Sequence, residues 1–227
     1  MRAESSRITG RDGVRADARR NRERVLAAAR AVFAEHGIDA PMATVARRAG
    51  VGVATLYRHF PTREALVRGA FAQQMEACTR ALTEALAASD PWQGFQQLVE
   101  TVCALQRQER GFPAAFLAAF PDSASQHTRA RQRAERDFTT LVRRAQASGA
   151  LRADFHPSDL VVVLLTHCAL VTALPDDGAA SRRLVAYLLQ SFRADTAHRP
   201  LPPPAALTLR SLPIATDHPR RQRPSRA

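Results

Sequence analysis

The sequence predicts an all-α fold, with an N-terminal three-helix unit followed by a larger C-terminal helical bundle. Between residues 21 and 192, apolar residues recur at spacings of three and four, which is the period of an amphipathic helix. Gly37, Gly50 and Pro91 are among the residues that interrupt this pattern at the segment ends. With 227 residues, of which 45% are hydrophobic, the chain can bury a core in one large domain or two modest ones.

Charge is distributed unevenly along the chain. Residues 1–70 contain 14 Arg and 7 acidic residues, residues 71–197 contain 13 of each, and residues 198–227 contain 6 Arg and 1 Asp. The chain has no lysine, so these arginines account for the net charge of +12. A basic N-terminal part attached to a neutral body predicts an anion-binding module joined to a domain with another role.

Residues 1–20 are rich in Arg, Ser, Asp and Gly, which predicts a disordered basic arm. Either its arginines contact an anionic partner or the arm only increases solubility. These arginines are Arg7, Arg11, Arg15, Arg19 and Arg20. A first amphipathic helix is predicted from Asn21 to His36, and Gly37 ends it.

Two short helices with a tight turn between them are predicted next. In the first, Met42 to Ala49, the residues Val45, Ala46 and Ala49 share one face, and Gly50 suits a left-handed turn. In the second, about Val53 to His59, we expect Val53, Leu56 and Phe60 to face inward. Thr55, Tyr57, Arg58 and His59 then face outward. This is the helix-turn-helix arrangement that places its second helix in a DNA major groove.

The order of residues in this region resembles the DNA-binding domain of the tetracycline-repressor (TetR) family. The segments that carry the resemblance are Ala49-Gly50-Val51, Thr55-Leu56-Tyr57-Arg58-His59-Phe60 and Arg63-Glu64-Ala65-Leu66, within a match from about Arg22 to Leu66. The resemblance implies binding to double-stranded DNA at a palindromic operator. It assigns Tyr57 and Arg63 to phosphates and Thr55 and Arg58 to the groove.

Further candidate DNA contacts lie beside these residues. Arg47 and Arg48 are on the preceding helix, and for these two and His59 a solvated or packing role is equally open. An arginine placed on a guanine supplies about 1–3 kcal/mol of discrimination, so Arg58 is the first choice for a specificity residue. Pro41 and Gly52 replace the Thr and Ser that are usual in the family, so two backbone contacts are not expected.

The rest of the chain is predicted to be helical up to Phe192. One long helix is expected from Thr62 to about Leu86, with Thr62 as its N-cap. The following helices are expected at Pro91 to about Glu109, Gly111 to Pro121, Asp122 to Ala147, 156–174 and about 180–192. Residues 196–227 contain seven prolines and six arginines and are predicted to be a disordered tail.

The sequence therefore predicts a helix-turn-helix domain over residues 21–66 and an effector-binding and dimerisation domain over residues 67–195. Two copies of so small a DNA reader are needed for a specific site, and the apolar helices 160–174 and 180–192 are expected to form a four-helix homodimer interface. The alternative is that helix 160–174 is only the buried centre of one subunit.

A pocket for a small hydrophobic effector is expected between the helices of the neutral body. The candidate lining residues are Phe71, Trp92, Phe95, Cys103, Phe112, Phe116, Phe120, Phe138 and His167. Each of them is also suited to a plain core position, and His167 to a satisfied interface position.

Other functional classes are disfavoured by the sequence. It has no Gly-rich phosphate loop, no Cys-x-x-Cys pair and no Gly-x-Ser-x-Gly motif, so no enzyme activity, cofactor or metal is predicted. Cys78, Cys103 and Cys168 are widely spaced in apolar segments, which is typical of reduced thiols in a cytoplasmic protein. No signal peptide or membrane span is expected. The favoured function is a ligand-released repressor, and the alternative is an architectural or activating DNA-binding protein without an effector.

Overall fold

The computed structural model describes residues 5–109, 112, 126–174, 178–195 and 201–204. Within these ranges the chain is helical, and none of the helices is long and apolar enough to cross a membrane. The helices are α1 (Ser5–His36), α2 (Met42–Ala49), α3 (Val53–His59), α4 (Arg63–Ala70), α5 (Ala72–Ala87), α6 (Pro91–Gln108), α7 (Gln126–Ala147), α8 (Pro157–Ala173) and α9 (Ala179–Phe192). The predicted all-α fold class is confirmed.

Helices α1 to α4 pack around one hydrophobic core. Its fully buried side chains include Val25, Ala29, Val45, Leu56 and Leu66. These residues are the apolar stripes of the four helices, which lie together because each amphipathic helix must cover its apolar face. The core positions α2 and α3, and with them the surface described below.

Helix α1 begins at Ser5, whereas the sequence predicted a disordered arm over residues 1–20 and a helix start at Asn21. The difference has a physical reason. Residues 14–20 are mostly Ala, Arg and Asp, and Arg20 forms an ion pair with Asp17 three residues earlier on the helix. Composition distinguishes a residue that is buried from one that is not, but it does not distinguish a solvated helix from a coil.

A break at Phe71 divides the long helix that was predicted from Thr62 to Leu86. Phe71 has φ −116° and ψ 18°, outside the helical range, and its side chain is buried in the core of α1 to α4. The carbonyl of Ala70 at the break accepts a hydrogen bond from Arg30 Nη1 at 3.2 Å. The helix is interrupted because this arrangement buries the aromatic ring in the N-terminal unit.

Helices α5 to α9 surround a second core. Its buried side chains include Phe95, Val99, Leu141, Leu164 and Val185. Asp90 caps α6 by accepting from the N–H groups of Trp92 and Gln93, and Pro91 occupies the first turn as predicted. Gly94 allows close packing of α6 on α5, since a Cβ there would lie 2.5 Å from the carbonyl oxygen of Ala85.

Two predicted segments lie largely outside the described residues. Of the expected helix from Gly111 to Pro121, only Phe112 is described. Of the expected disordered tail over residues 196–227, only residues 201–204 are described; they are neither helix nor strand. Leu201 donates its N–H to Asp154 Oδ2 at 2.9 Å.

Candidate DNA-binding surface

The turn between α2 and α3 has the geometry that the sequence predicts. Gly50 lies in the left-handed region with φ 65° and ψ 35°, where a side chain would be strained. The next residue, Val51, donates its N–H to the carbonyl of Ala46 at 3.0 Å and closes the end of α2. Pro41 and Gly52 occupy the N-cap positions of α2 and α3, and neither helix has a side-chain cap.

Helix α3 is anchored by two side chains and exposes others. Leu56 is fully buried and Phe60 is 3% exposed, as predicted. Val53, which was predicted to face inward, is 43% exposed, so that prediction is wrong. Val53 is the first residue of α3 and follows the exposed Gly52, so nothing from the turn covers it.

The candidate DNA-contacting side chains of α3 are accessible. Tyr57 is 46% exposed, Arg58 is exposed, and Thr55 and His59 are half-buried. The outward surface of this seven-residue helix carries these four side chains together with the exposed Val53 and Ala54. Hydroxyl, phenol and guanidinium groups on one accessible helix are the donors and acceptors that base edges and phosphates require.

Four arginines lie on α3 or beside it, and they differ in whether they form an ion pair with an acidic side chain. Arg47 and Arg58 form no ion pair among the described residues, whereas Arg48 Nη1 lies 2.5 Å from Glu35 Oε2 and Arg63 Nη1 lies 3.2 Å from Asp39 Oδ1. The hydrogen bond from Arg48 lowers the pKa of Glu35, so this carboxylate stays ionised at neutral pH. Neither acidic partner is predictable from local sequence, because Glu35 lies 13 residues from Arg48 and Asp39 lies 24 residues from Arg63 along the chain.

The start of α4 is also fixed. Thr62 accepts a hydrogen bond from the N–H of Ala65 at 3.1 Å, which confirms it as an N-cap and places Arg63 in the first turn. The guanidinium of Arg22 lies 4.8 Å from the ring centroid of Phe60, in cation–π geometry. Both contacts lie at the C-terminal end of α3 and fix the segment that joins it to α4.

The candidate effector-pocket residues are divided between the two cores. Phe71 and Phe112 belong to the N-terminal core, whereas Trp92, Phe95, Cys103 and Phe138 belong to the C-terminal core. Burial raises the pKa of the Cys78 and Cys103 thiols to about 12, so both thiols are protonated at neutral pH. Phe116 and Phe120 lie outside the described residues.

One crevice formed by described residues lies elsewhere, on α7. It has a volume of about 470 Å³, is open to solvent, and is lined by polar side chains of α7. They are Gln132, Glu135, Arg136, Thr139, Thr140 and Arg143, none of which is among the predicted lining residues. The apolar candidates in the described part of the chain are buried in the two cores and do not line this crevice.

His167 is completely buried in a polar network that joins α6, α8 and α9. Its Nδ1 lies 2.7 Å from Gln106 Oε1, and its Nε2 lies 2.8 Å from Ser181 Oγ. Because the amide oxygen only accepts, Nδ1 carries the proton and Nε2 accepts from the serine hydroxyl. Burial is the main cause that lowers the pKa of His167, so the ring is neutral. The sequence pointed to His167 as a polar residue in an apolar helix, but it did not identify Gln106 and Ser181 as its hydrogen-bond partners.

Helices α8 and α9 each carry an exposed apolar or aromatic side chain. Val162 is 44% exposed and Tyr187 is 55% exposed. The hydroxyls of Thr166 and Thr172 bond to the carbonyls of Val162 and Cys168 on the same helix, so these threonines present their methyl groups. The exposed surface of α8 is thus more apolar than its sequence implies.

Two family models match the chain in adjacent regions. Residues 25–70 match the model described as bacterial regulatory proteins, tetR family, and residues 90–194 match the C-terminal domain described as transcriptional regulator SbtR-like. The first region contains most residues of the N-terminal core, and the second contains most residues of the C-terminal core. The proteins that these models describe are transcriptional regulators rather than enzymes.

Individual relatives agree with these matches. The TetR transcriptional regulator SCO0520 from Streptomyces coelicolor is 31% identical, and the match covers 77% of this chain and 99% of SCO0520, with a TM-score of 0.49. The TetR family regulator PfmR from Thermus thermophilus is 21% identical, with 74% and 97% coverage and a TM-score of 0.58, and shares the fold. The regulator UidR of Escherichia coli K12 is 35% identical over 66 residues, which is 29% of this chain. That match spans about a third, 34%, of UidR.

Proposed function

Because this chain belongs to the TetR family of bacterial transcriptional regulators, we propose that it is a cytoplasmic homodimer that represses transcription from a palindromic operator and is released by a small hydrophobic effector. The observation that carries the proposal is the exposure of Tyr57 and Arg58 on a short helix that Leu56 and Phe60 anchor. Phosphate-binding and base-reading groups thus stand on a rigid support.

In this proposal each side chain of the surface has a distinct role. Tyr57 and Arg63 bind phosphates and set the register of the domain on the duplex. Arg58 and Thr55 reach base edges in the major groove, and Arg58 supplies most of the discrimination. Arg47, Arg48 and His59 add contacts at the edges of the groove. The N-terminal part of α1 carries further arginines, which we propose as additional phosphate contacts.

The exposed apolar and aromatic side chains of α8 and α9 support the dimer. A monomer that leaves Val162 and Tyr187 exposed beside threonine methyl groups has apolar area that a second copy can bury. Packing α8 and α9 against their symmetry mates forms a four-helix bundle and presents two copies of α3 on the same side. A two-fold operator follows from this symmetry.

The effector part of the proposal depends on the second core. Helices α5 to α8 enclose an apolar, aromatic-rich interior, which suits a hydrophobic compound. Binding there is proposed to favour a dimer whose α3 helices no longer match successive turns of the duplex. The lining residues proposed are the candidates that lie in or beside this core, which are Trp92, Phe95, Cys103, Phe138 and His167.

A selection experiment tests this function. The purified protein is incubated with a library of random duplexes, bound duplexes are amplified over several rounds, and the enriched sequences are read. Repeated recovery of an inverted repeat supports a sequence-specific regulator. Recovery of duplexes without a shared sequence would favour the architectural alternative instead.

The effector is tested on the same complex. Fluorescence anisotropy of a labelled selected duplex is followed while a panel of apolar aromatic and aliphatic compounds is added. Release by one compound, with no effect of its polar analogue, supports the sensor. If no compound releases the duplex, the protein is a regulator without the proposed effector.

A further inference from the structure

Two of the four arginines around α3 form ion pairs with carboxylates that precede α2 and α3 in the chain. Glu35, at the end of α1, holds Arg48 at 2.5 Å, and Asp39, in the loop between α1 and α2, holds Arg63 at 3.2 Å. Arg47 and Arg58 form no such pair among the described residues. The cations of this surface therefore fall into a paired class and an unpaired class.

A contribution to the free energy of folding does not explain why Arg48 and Arg63 are paired. Glu35 lies in the last turn of α1, where the negative end of the helix dipole disfavours a carboxylate. Both ion pairs are 40–49% exposed, and pairs of this kind contribute little to folding because solvent screens them. Glu35 and Asp39 therefore contribute little to the stability of the fold.

The pairs have a direct consequence for binding to a polyanion. A free arginine that neutralises a phosphate releases a condensed counterion from the duplex, and this release drives sequence-independent affinity. An arginine that is already paired must first lose its carboxylate, which then remains beside the phosphates as an unpaired charge. The gain from counterion release is therefore largely cancelled.

We propose that Glu35 and Asp39 compete with DNA phosphates for Arg48 and Arg63 and so suppress binding to random sequence, which leaves discrimination to the unpaired Arg58. This inference rests on the proposed DNA-binding function and assigns a specificity role to two acidic residues that do not themselves bind DNA. Random sites far outnumber operators in a genome, so lowering the affinity for random DNA improves the search.

The expected effect follows from counterion release. Freeing one arginine steepens the dependence of log K on log salt by about 0.9, which corresponds to about eightfold tighter binding at 0.1 M salt. Glu35→Gln and Asp39→Asn are each expected to tighten binding to a random duplex by about this factor.

The test compares full-length variants on one random-sequence duplex, by fluorescence anisotropy at several NaCl concentrations. Asp195→Asn is the matched control, because Asp195 pairs with Arg193 at 2.7 Å in the C-terminal domain and its loss changes the net charge equally. Circular dichroism confirms that each variant is folded. The inference predicts a steeper salt slope for Glu35→Gln and Asp39→Asn and an unchanged slope for the control.

A double variant separates competition from simple repulsion. If Glu35 acts by holding Arg48, then Glu35→Gln has no effect in an Arg48→Gln background. An equal effect in both backgrounds, or an unchanged slope for the single variants, would overturn the inference while the DNA-binding function stands. A wild-type protein that binds neither the random nor the selected duplex would instead reject the proposed function, and this inference with it.

Discussion

Phe112 packs against Phe71 with ring centroids 6.1 Å apart, although the two residues belong to different parts of the chain. Phe112 follows α6 of the C-terminal unit and donates its N–H to the carbonyl of Glu109 at 2.8 Å, yet its ring is fully buried in the N-terminal core. Phe71 stands at the break between α4 and α5 and also contacts Phe33 at 6.3 Å. A row of three aromatic rings thus joins the end of α6 to the DNA-binding domain.

Replacing Phe112 should therefore affect both units. Phe112→Ala is expected to lower the free energy of unfolding by about 3–5 kcal/mol, because it leaves a cavity in a packed core. Equilibrium unfolding in urea measures the loss, and Phe112→Leu is the control because it keeps most of the buried volume. An alanine variant within about 0.5 kcal/mol of wild type would show that the ring does not join the two units.

Changes on α3 should separate affinity from specificity. Arg58→Ala is expected to lose about 1–3 kcal/mol of discrimination at one base position of each half-site, because the bidentate contact is removed. Tyr57→Phe removes one hydroxyl and is expected to weaken binding to all sequences alike. Anisotropy with the selected duplex and single-base variants of it measures both effects.

The control for the α3 variants is Arg80→Ala, which removes an exposed arginine from α5. It is expected to bind the selected duplex like the wild type. If Arg58→Ala retained the full base preference, the specificity role would pass to another residue of α3.

A charge on the exposed surface of α8 should dissociate the dimer. Val162→Asp places a carboxylate where the proposed four-helix bundle buries an apolar side chain, and a buried unpaired charge is strongly unfavourable. Sedimentation velocity is expected to show a monomer for Val162→Asp and a dimer for wild type. Gln97→Asp, at an exposed position of α6, is the control and should remain dimeric; a dimeric Val162→Asp would place the interface elsewhere.

His167 should make the C-terminal unit sensitive to mild acid. Since burial lowers its pKa in the folded state, the unfolded state binds the proton more readily, and stability should fall as pH drops below about 6.5. The carboxylates with lowered pKa values, Glu35, Glu64 and Asp154, lose their contribution only at more acidic pH. Urea unfolding at pH 7.5 and 5.5 should show the loss.

The comparison variant for this titration is His167→Gln, which can bond to Gln106 and Ser181 without a titratable ring. It is expected to be less stable than wild type at pH 7.5 but to change less between the two pH values. An equal change in both proteins would assign the acid sensitivity to other groups.

Local sequence patterns were sufficient for the helix-turn-helix and the bounds of most described helices. Gly50, Leu56 and Thr62 have conformations that their neighbours in sequence dictate, so each was predicted correctly. The break at Phe71 was not predictable, because the helical pattern continues through it and the cause is a tertiary contact.

The remaining parts of the surface depend on long-range contacts. The pairing of Arg48 with Glu35 is set by how α1 and α2 cross, which apolar periodicity does not report. The seven candidate DNA-contacting residues and the bounds of the two domains remain predictions. The dimer interface and the effector pocket also remain predictions, since each concerns a partner that one chain does not contain.

Hydroxyl-radical footprinting of the wild-type protein on a selected duplex decides whether two copies of α3 read successive turns of DNA. We predict two protected patches on one face of the duplex, with centres about 34–36 Å apart, and their joint loss in Val162→Asp. A single protected patch, or uniform protection along the duplex, would contradict a dimeric operator-binding regulator.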